Sequence, residues 1–89
     1  MAFNVELKPA AIRGLAKLPK DSQKTICFRI DALANDPLPS DAKKLESEEN
    51  FYRIKVGDYR VIYQIHKKIL FILVVRIGHR KDVYRRLSG

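Results

Sequence analysis

The dipeptide Gly57-Asp58, near the middle of the chain, separates two segments in which apolar and polar residues alternate. A two-residue loop with glycine at its first position favours a tight type II′ β-hairpin, in which Val56 lies opposite Tyr59. That pair fixes the register of both strands, because successive side chains along a strand point to opposite faces. The dipeptide therefore predicts an antiparallel hairpin and decides which side chains share each face.

The predicted register gives the hairpin one mainly apolar face and one charged face. Arg53, Lys55 and Arg60 share the charged face, and Lys55 lies directly opposite Arg60. Like charges in direct cross-strand contact destabilise a sheet, so stability alone gives no reason for this pairing. The opposite face, which we expect to pack against helices, carries Tyr52, Ile54, Val56, Tyr59, Val61 and Tyr63.

The segments around the hairpin predict an α+β fold. Residues 3–7 alternate as in a half-buried strand, and Pro9 suits the first position of a helix. A stripe of apolar residues over 26–34 predicts a second helix, which Asp21 or Ser22 is placed to cap. A polar connection over 36–50 leads to three consecutive strands over 51–77. The predicted order is β-α-α-β-β-β, in a single domain over residues 1–89.

The register of the third of these strands is open, because its start is apolar at every position from 69 to 75. If the preceding turn is His66-Lys67-Lys68, then Ile65 opposes Ile69 and Arg76 joins the face of Arg60. A turn of two residues would direct Arg76 toward the helices, which is unfavourable for a charge. We therefore prefer the longer turn.

The positive charge of the chain is concentrated in its second part. Of 89 residues, 18 are Lys or Arg and 10 are Asp or Glu, which gives a net charge of +8. Residues 1–50 carry eight of each sign, whereas residues 51–89 carry ten cations and two acids, a surplus of eight. This asymmetry predicts a surface for a polyanion, with nucleic acid as the first candidate and an acidic protein as the second.

Several other classes of protein do not fit the sequence. The longest apolar run has seven residues, far fewer than the roughly 20 that span a bilayer. The first residues do not resemble a signal peptide, so we expect a cytoplasmic protein without membrane association. The single cysteine, Cys27, excludes an internal disulfide and a cysteine-based zinc site. His66 and His79 give no metal-site spacing, and we expect neither a metal nor another cofactor.

Two motifs together resemble the RelE family of bacterial and archaeal toxins. One is the segment 51–63, Phe-Tyr-Arg-Ile-Lys-Val-Gly-Asp-Tyr-Arg-Val-Ile-Tyr, and the other is Val-Arg-Ile-Gly-His-Arg at 75–80 followed by Val83-Tyr84. The similarity covers nearly the whole chain. It implies a RelE-like fold, with two helices packed on a largely antiparallel four-stranded sheet. Because the chain continues for only five residues after Tyr84, we expect the C-terminal helix of some relatives to be short or absent.

The family includes toxins that cleave messenger RNA in the ribosomal A site and are held inactive by an antitoxin. The resemblance therefore implies a ribosome-dependent mRNA endonuclease whose partners are mRNA, the ribosome with its 16S rRNA, and a cognate acidic antitoxin in a hetero-oligomer. It also implies that the catalytic positions are Arg53, Lys55, Arg60, Arg80 and Tyr84.

Metal-independent cleavage of RNA uses the ribose 2′-OH as the nucleophile. Arg60 and Arg80 suit the stabilisation of charge on the phosphate, because a guanidinium binds its oxygens bidentately. The general base is open between Tyr84, whose phenolate nearby cations would favour, and His79. His79 and Lys81 are possible catalytic or substrate contacts, and the residues expected to bind RNA or the ribosome are Arg76, Arg85, Arg86, Lys43 and Lys44.

Two other functions compete with this interpretation. One is a non-enzymatic inhibitor on the same scaffold, like the ParE toxins that act on DNA gyrase. The five predicted catalytic residues argue against it, because gyrase inhibition does not need a cluster that cleaves phosphate esters. The other is a catalytically decayed RNA-binding homologue, whose basic face binds RNA without cutting it.

Overall fold

The computed structural model describes residues 2–46 and 49–84, and it packs two helices on one face of a mixed sheet. The sheet order is β1-β5-β4-β3-β2; β1 is parallel to β5, and the other neighbours are antiparallel. The elements are β1 (Asn4–Leu7), α1 (Pro9–Ala16), α2 (Lys20–Leu33), β2 (Lys43–Lys44), β3 (Phe51–Val56), β4 (Tyr59–His66) and β5 (Phe71–His79). The predicted fold class is confirmed.

The sheet has five strands in the described part of the chain, so the predicted number of four is wrong. The additional strand is β2, which lies within the predicted polar connection and pairs Lys43 with Arg53 and Lys44 with Tyr52. Alternation of apolar and polar residues cannot reveal a strand of two lysines. Its position follows from the neighbouring edge of β3, to which it pairs.

The first turn has the predicted register throughout. Val56 pairs with Tyr59, Lys55 with Arg60, and the ladder continues to Phe51 and Gln64. Gly57 has a φ of 60°, the left-handed value that the first position of a type II′ turn requires. The prediction holds because the turn alone sets this register.

Helix α2 begins one residue before the predicted capping residues. Pro19 occupies its N-cap position, and the carbonyl oxygen of Pro19 accepts a hydrogen bond from the backbone N–H of Gln23 at 2.9 Å. Neither Asp21 nor Ser22 caps the helix, so that prediction is wrong. Asp21 lies in the first turn, where its negative charge is favourable to the helix dipole.

The core lies between the helices and one face of the sheet. Ile54, Val61 and Tyr63 are fully buried there, and the Tyr63 hydroxyl donates a hydrogen bond to the carbonyl oxygen of Pro37 at 2.7 Å. Burial raises the pKa of Tyr63 well above its ordinary value of 10.0. A Cβ at Gly14 would overlap the carbonyl oxygen of Ile77, so α1 approaches β5 closely because this residue is glycine.

The turn between β4 and β5 comprises residues 67–70, so the predicted turn at 66–68 is wrong. His66 still belongs to β4 and pairs with Phe71, and Ile65 pairs with Ile72 rather than Ile69. Leu70 completes the turn with a φ of 50°. A bulge then shifts the register, since Tyr63 pairs with Val74 whereas Ile62 pairs with Arg76.

Within the described residues, no helix is long and apolar enough to cross a membrane.

Candidate functional site

Five cations lie on the face of the sheet that the helices leave uncovered, and we term this surface the cationic face. The strand register arranges them in two rows. One row runs from Lys43 through Arg53 and Ile62 to Arg76, and the other pairs Lys55 with Arg60. Directly opposed residues have Cβ atoms about 4.5–5.5 Å apart, so the charges are close neighbours. The members of the cationic face are Lys43, Arg53, Lys55, Arg60 and Arg76.

The sequence of strands β2 to β5 contains no Asp or Glu, so these strands supply no neutralising carboxylate. Helices α1 and α2 cover the other face with Ala11, Ile26, Ile30 and Leu33. The cationic face therefore concentrates charge on a sheet whose opposite side is apolar.

The bulge at Val75 determines that Arg76 joins the cationic face. If the register at the 67–70 turn continued unchanged, Arg76 would oppose Val61, whose side chain is buried against the helices. The extra residue instead places Arg76 opposite Ile62, in the same row as Arg53. The prediction that Arg76 shares the face of Arg60 is confirmed, although the turn on which it rested is wrong.

Arg60 and Arg80 converge at the Gly57-Asp58 turn. The Nη1 of Arg60 donates hydrogen bonds to the carbonyl oxygens of Gly57 at 3.0 Å and Tyr59 at 2.9 Å. The backbone N–H of Arg80 donates to the carbonyl oxygen of Asp58 at 2.9 Å, and its side chain is exposed. One tight turn thus binds the guanidinium of Arg60 and the backbone of Arg80, the two arginines predicted to stabilise phosphate charge.

Tyr84 reaches this region through a turn that folds back on β5. The carbonyl oxygen of His79 accepts hydrogen bonds from the backbone N–H groups of Asp82 at 2.9 Å and Val83 at 3.0 Å. Val83 is buried and lies beside Gly78, the residue opposite Arg60. Tyr84 follows directly and is 43% exposed, which leaves its phenol accessible at this end of the sheet.

His79 lies on the helix side of the sheet, away from the cationic face. It pairs with Tyr59, and the two rings meet edge to face with centroids 6.2 Å apart. Its Nδ1 accepts a hydrogen bond from the backbone N–H of Lys81 at 3.1 Å, so the proton of the neutral ring is on Nε2. The His79 ring therefore lies on the side of the sheet opposite to Arg60.

The adjacent lysines of β2 separate onto the two faces. Lys43 pairs with Arg53 on the cationic face, whereas Lys44 pairs with Tyr52 on the helix side. Both are exposed, as is Lys81 in the turn after β5. The remaining predicted binding residues, Arg85 and Arg86, lie outside the described residues.

Arg29 and Asp41 also contact the site, although neither residue was predicted from the sequence. Two hydrogen bonds join the Nη2 of Arg29 to the Asp41 carboxylate at 2.8 and 2.9 Å. The Nη1 of Arg53 donates to the backbone carbonyl oxygen of Asp41 at 3.2 Å. The sequence offers one indication: Arg29 lies three residues after Ile26, on the flank of the apolar stripe that packs on the sheet.

Partial burial would favour the neutral carboxyl of Asp41, but the hydrogen bonds and charge of Arg29 outweigh it. They hold the pKa of Asp41 below its ordinary value of 3.8. Asp41 is therefore an ionised carboxylate at neutral pH and can keep its ion pair with Arg29.

The cationic face is an open surface and not a pocket. A groove of about 450 Å³ lies elsewhere, beside the 67–70 turn, and its lining includes Tyr52, His66 and Ile69. Across residues 2–46 and 49–84, no group of three His, Cys, Asp or Glu side chains is placed to hold a metal ion. An open array of guanidinium and ammonium groups suits contact with an extended, negatively charged chain.

Comparison with known proteins identifies the fold and the family of the chain. A family model described as the ParE toxin of type II toxin–antitoxin systems, parDE, matches residues 5–84. The toxin RelE3 of Methanocaldococcus jannaschii is 31% identical over 77 residues, covering 82% of this chain and 85% of that protein. The toxin RelG of Mycobacterium tuberculosis is 28% identical over 87 residues, covering 97% of this chain and 100% of that protein.

A solved structure shows the same architecture. The archaeal RelE–RelB complex from Pyrococcus horikoshii OT3 contains a chain that matches with a TM-score of 0.80 at 30% identity. The match covers 93% of this chain and 100% of that chain. From its cationic face, its sheet and these relatives, the chain belongs to the RelE family of toxins of type II toxin–antitoxin systems.

Proposed function

We propose that this toxin is a ribosome-dependent mRNA endonuclease that cleaves through attack by the ribose 2′-OH. The observation that carries the proposal is the cationic face, where two rows of cations lie on the side of the sheet that the helices leave uncovered. The backbone N–H of Arg80 binds the Gly57-Asp58 turn at the end of this face. Lys55 and Arg60 are like charges placed directly opposite each other, which costs stability and is understandable if they bind the phosphate backbone of RNA.

The arginines stabilise the charge that develops on phosphorus. When the 2′-oxygen attacks, the phosphate gains negative charge, and fixed guanidinium groups need little rearrangement to bind it. Arg60 and Arg80 serve this function from the Gly57-Asp58 turn, and Arg53 and Lys55 assist from β3. Loss of one such donor typically costs about 2.7–4 kcal/mol of transition-state stabilisation.

The proton transfers complete the reaction. Tyr84 acts as the general base that accepts the proton of the 2′-OH while the bond from the 2′-oxygen to phosphorus forms. The bond from phosphorus to the 5′-oxygen breaks, and the Lys55 ammonium donates a proton to that leaving oxygen. The products are a 2′,3′-cyclic phosphate and a 5′-hydroxyl, and no step uses a metal ion.

The same surface defines the partners. The relative from Pyrococcus horikoshii was solved in complex with the antitoxin RelB. For this toxin we propose a cognate acidic antitoxin in a hetero-oligomer, because the surplus of positive charge over residues 51–89 steers an acidic chain toward it. On the ribosome, Lys43 and Arg76 extend the contact along mRNA and 16S rRNA.

We further propose that residues 1–89 act as one domain in the cytoplasm.

A ParE-like inhibitor of DNA gyrase is the second candidate, because the matching family model is described as a ParE toxin. The two functions differ in their effect on RNA and on DNA supercoiling. An endonuclease creates new RNA ends during translation, whereas a gyrase inhibitor blocks DNA supercoiling without cutting RNA.

The test is to map RNA ends after adding the purified toxin to translating and non-translating extracts. We expect new ends only during translation, with 5′-hydroxyl groups, and we expect cleavage to survive EDTA when other polycations keep the ribosomes intact. Ends with 5′-phosphate, or cleavage that stops when metal ions are removed from intact ribosomes, would contradict 2′-OH attack. Inhibition of gyrase with intact RNA would support the ParE-like function, and RNA binding with neither effect would indicate a decayed homologue.

A further inference from the structure

The outer edge of β3 is incompletely paired at Lys55. Strand β2 pairs with Tyr52 and Arg53 and does not extend to Lys55. Hydrogen-bonded and non-hydrogen-bonded pairs alternate along an antiparallel ladder, and the carbonyl group of Lys55 points away from β4. The carbonyl oxygen of Lys55 can therefore accept a hydrogen bond from outside the sheet.

The ion pair between Arg29 and Asp41 occupies this position. The Nη1 of Arg29 donates to the carbonyl oxygen of Lys55 at 3.3 Å, while its Nη2 binds the Asp41 carboxylate. The backbone amide of Lys55 also favours the ionised form of Asp41. Arg29 comes from α2, and Asp41 comes from the connection before β2. Together they bind the edge of β3 at the point where its pairing with β2 ends.

The same pair also holds Arg53. The backbone carbonyl oxygen of Asp41 accepts a hydrogen bond from the Arg53 guanidinium at 3.2 Å. The ion pair therefore contacts both cations of β3, Arg53 through its side chain and Lys55 through its backbone. It reaches them from the edge of the sheet and leaves the surface available for a substrate.

We propose that Arg29 and Asp41 are positioning residues, which fix the edge of β3 so that Arg53 and Lys55 face the scissile phosphate. This inference rests on the proposed function. Both side chains are partly exposed, at 29% and 38%, and an ion pair so placed contributes little to stability. Its main effect is on geometry, because a small displacement of a catalytic group can slow a reaction greatly.

The test compares Arg29→Lys, Asp41→Asn and Asp41→Glu with the unaltered toxin in cleavage of mRNA on programmed ribosomes. Lysine cannot donate in two fixed directions as a guanidinium does, and asparagine removes the charge of the carboxylate. We expect Arg29→Lys and Asp41→Asn to lower kcat about tenfold or more. Asp41→Glu keeps the carboxylate and should recover most of kcat.

Gln23→Ala is the matched control. Gln23 lies on the same helix, and its Nε2 donates to the carbonyl oxygens of Leu18 at 2.9 Å and Ala16 at 3.4 Å, at the turn between the helices. This variant should lower Tm and leave kcat unchanged. If Arg29→Lys and Asp41→Asn behave in the same way, or if Asp41→Glu fails to recover kcat, the pair is only a structural link and the inference is wrong.

A second measurement separates this inference from the proposed function. If the unaltered toxin leaves mRNA on ribosomes intact, the proposed function fails, and the inference is then judged by the binding of 2′-O-methyl RNA, which cannot be cleaved. A severalfold lower affinity of Asp41→Asn than of the unaltered toxin or Gln23→Ala would show that the pair positions the cationic face. Equal affinities would overturn it.

Discussion

The two faces of the β3–β4 hairpin have opposite physical characters, although alternate residues of the same strands form them. On the helix side, Ile54 and Val61 oppose each other and are fully buried. On the cationic face, the next pair along the ladder is Lys55 and Arg60, two like charges in direct cross-strand contact. Burial of apolar side chains on the helix side stabilises the fold, whereas the opposed charges on the cationic face reduce its stability.

This difference separates the residues that stabilise the fold from those that we propose act on RNA. Because side chains alternate along a strand, a substitution at one position changes one face and leaves the other in place. Neighbouring residues in the sequence should therefore have unrelated effects when they are replaced. The following predictions test that separation.

The largest effect is expected for Ile54→Ala compared with Lys55→Gln, its immediate neighbour. Loss of the buried isoleucine should lower the free energy of unfolding by about 2–5 kcal/mol, because it leaves a cavity in the core. Lys55→Gln should be neutral or stabilising by about 0.2–1 kcal/mol, since it removes a like-charge contact with Arg60. Chemical denaturation measures both, and a similar loss from the two variants would mean that the faces are not independent.

Arg60→Ala should abolish most cleavage while the fold stays intact. We expect a loss of about 10²–10³-fold in kcat, because the variant lacks a cation aimed at the developing phosphate charge. Lys67→Ala, in the exposed turn after β4, is the control and should cleave nearly as well as the unaltered toxin. Equal losses in both variants would reveal general electrostatic attraction and would contradict a catalytic role for Arg60.

A smaller effect is expected from the two lysines of β2. Lys43→Ala should weaken binding of non-cleavable 2′-O-methyl RNA and reduce the slope of log K against log salt by about 0.7, because one phosphate contact is lost. Lys44→Ala, with the same charge change on the helix side, should alter both quantities less. Identical slopes for the two variants would show that RNA responds to net charge and not to the cationic face.

The smallest effect concerns Asp41 and pH. Its pKa is lower in the folded toxin than in the unfolded chain, so its contribution to stability is complete above the unfolded value and is lost as pH falls through the folded value. Asp41→Asn should therefore be less stable at neutral pH by less than about 1 kcal/mol, since the pair is partly exposed. The difference in stability between Asp41→Asn and the unaltered toxin should disappear in acid and become smaller at high salt. A gap that is independent of pH would show that packing, and not charge, is responsible.

Much of the hairpin could be predicted because its information is local. Gly57-Asp58 permits one tight turn, and alternation then assigns every side chain from Tyr52 to Tyr63 to a face. The apolar stripe of α2 was similarly readable, since Ile26, Ile30 and Leu33 are buried where a helix of 3.6 residues per turn places them. The catalytic roles of the residues on the cationic face stay predictions.

Contacts between distant parts of the chain could not be predicted in this way. The short strand β2 exists because Lys43 and Lys44 meet the edge of β3, and no local pattern indicates it. The ion pair of Arg29 with Asp41 joins residues twelve positions apart, in a helix and an irregular connection. The position of Arg29 beside the apolar stripe places it near the sheet, but nothing in the sequence relates Asp41 to β3.

The sequence by itself determined the hairpin register and the accumulation of cations on one of its faces, because a two-residue turn and a period of two leave little freedom. The tertiary structure decided the face of Arg76. The apolar run at the start of β5 fits a register that places Arg76 on the cationic face and equally one that places it on the helix side. In the folded chain, β5 pairs with both β4 and β1, and the backbone of Ile77 packs closely against Gly14 of α1. The bulge at Val75 allows β5 to make these contacts together. It also places Arg76 on the cationic face, in the same row as Arg53.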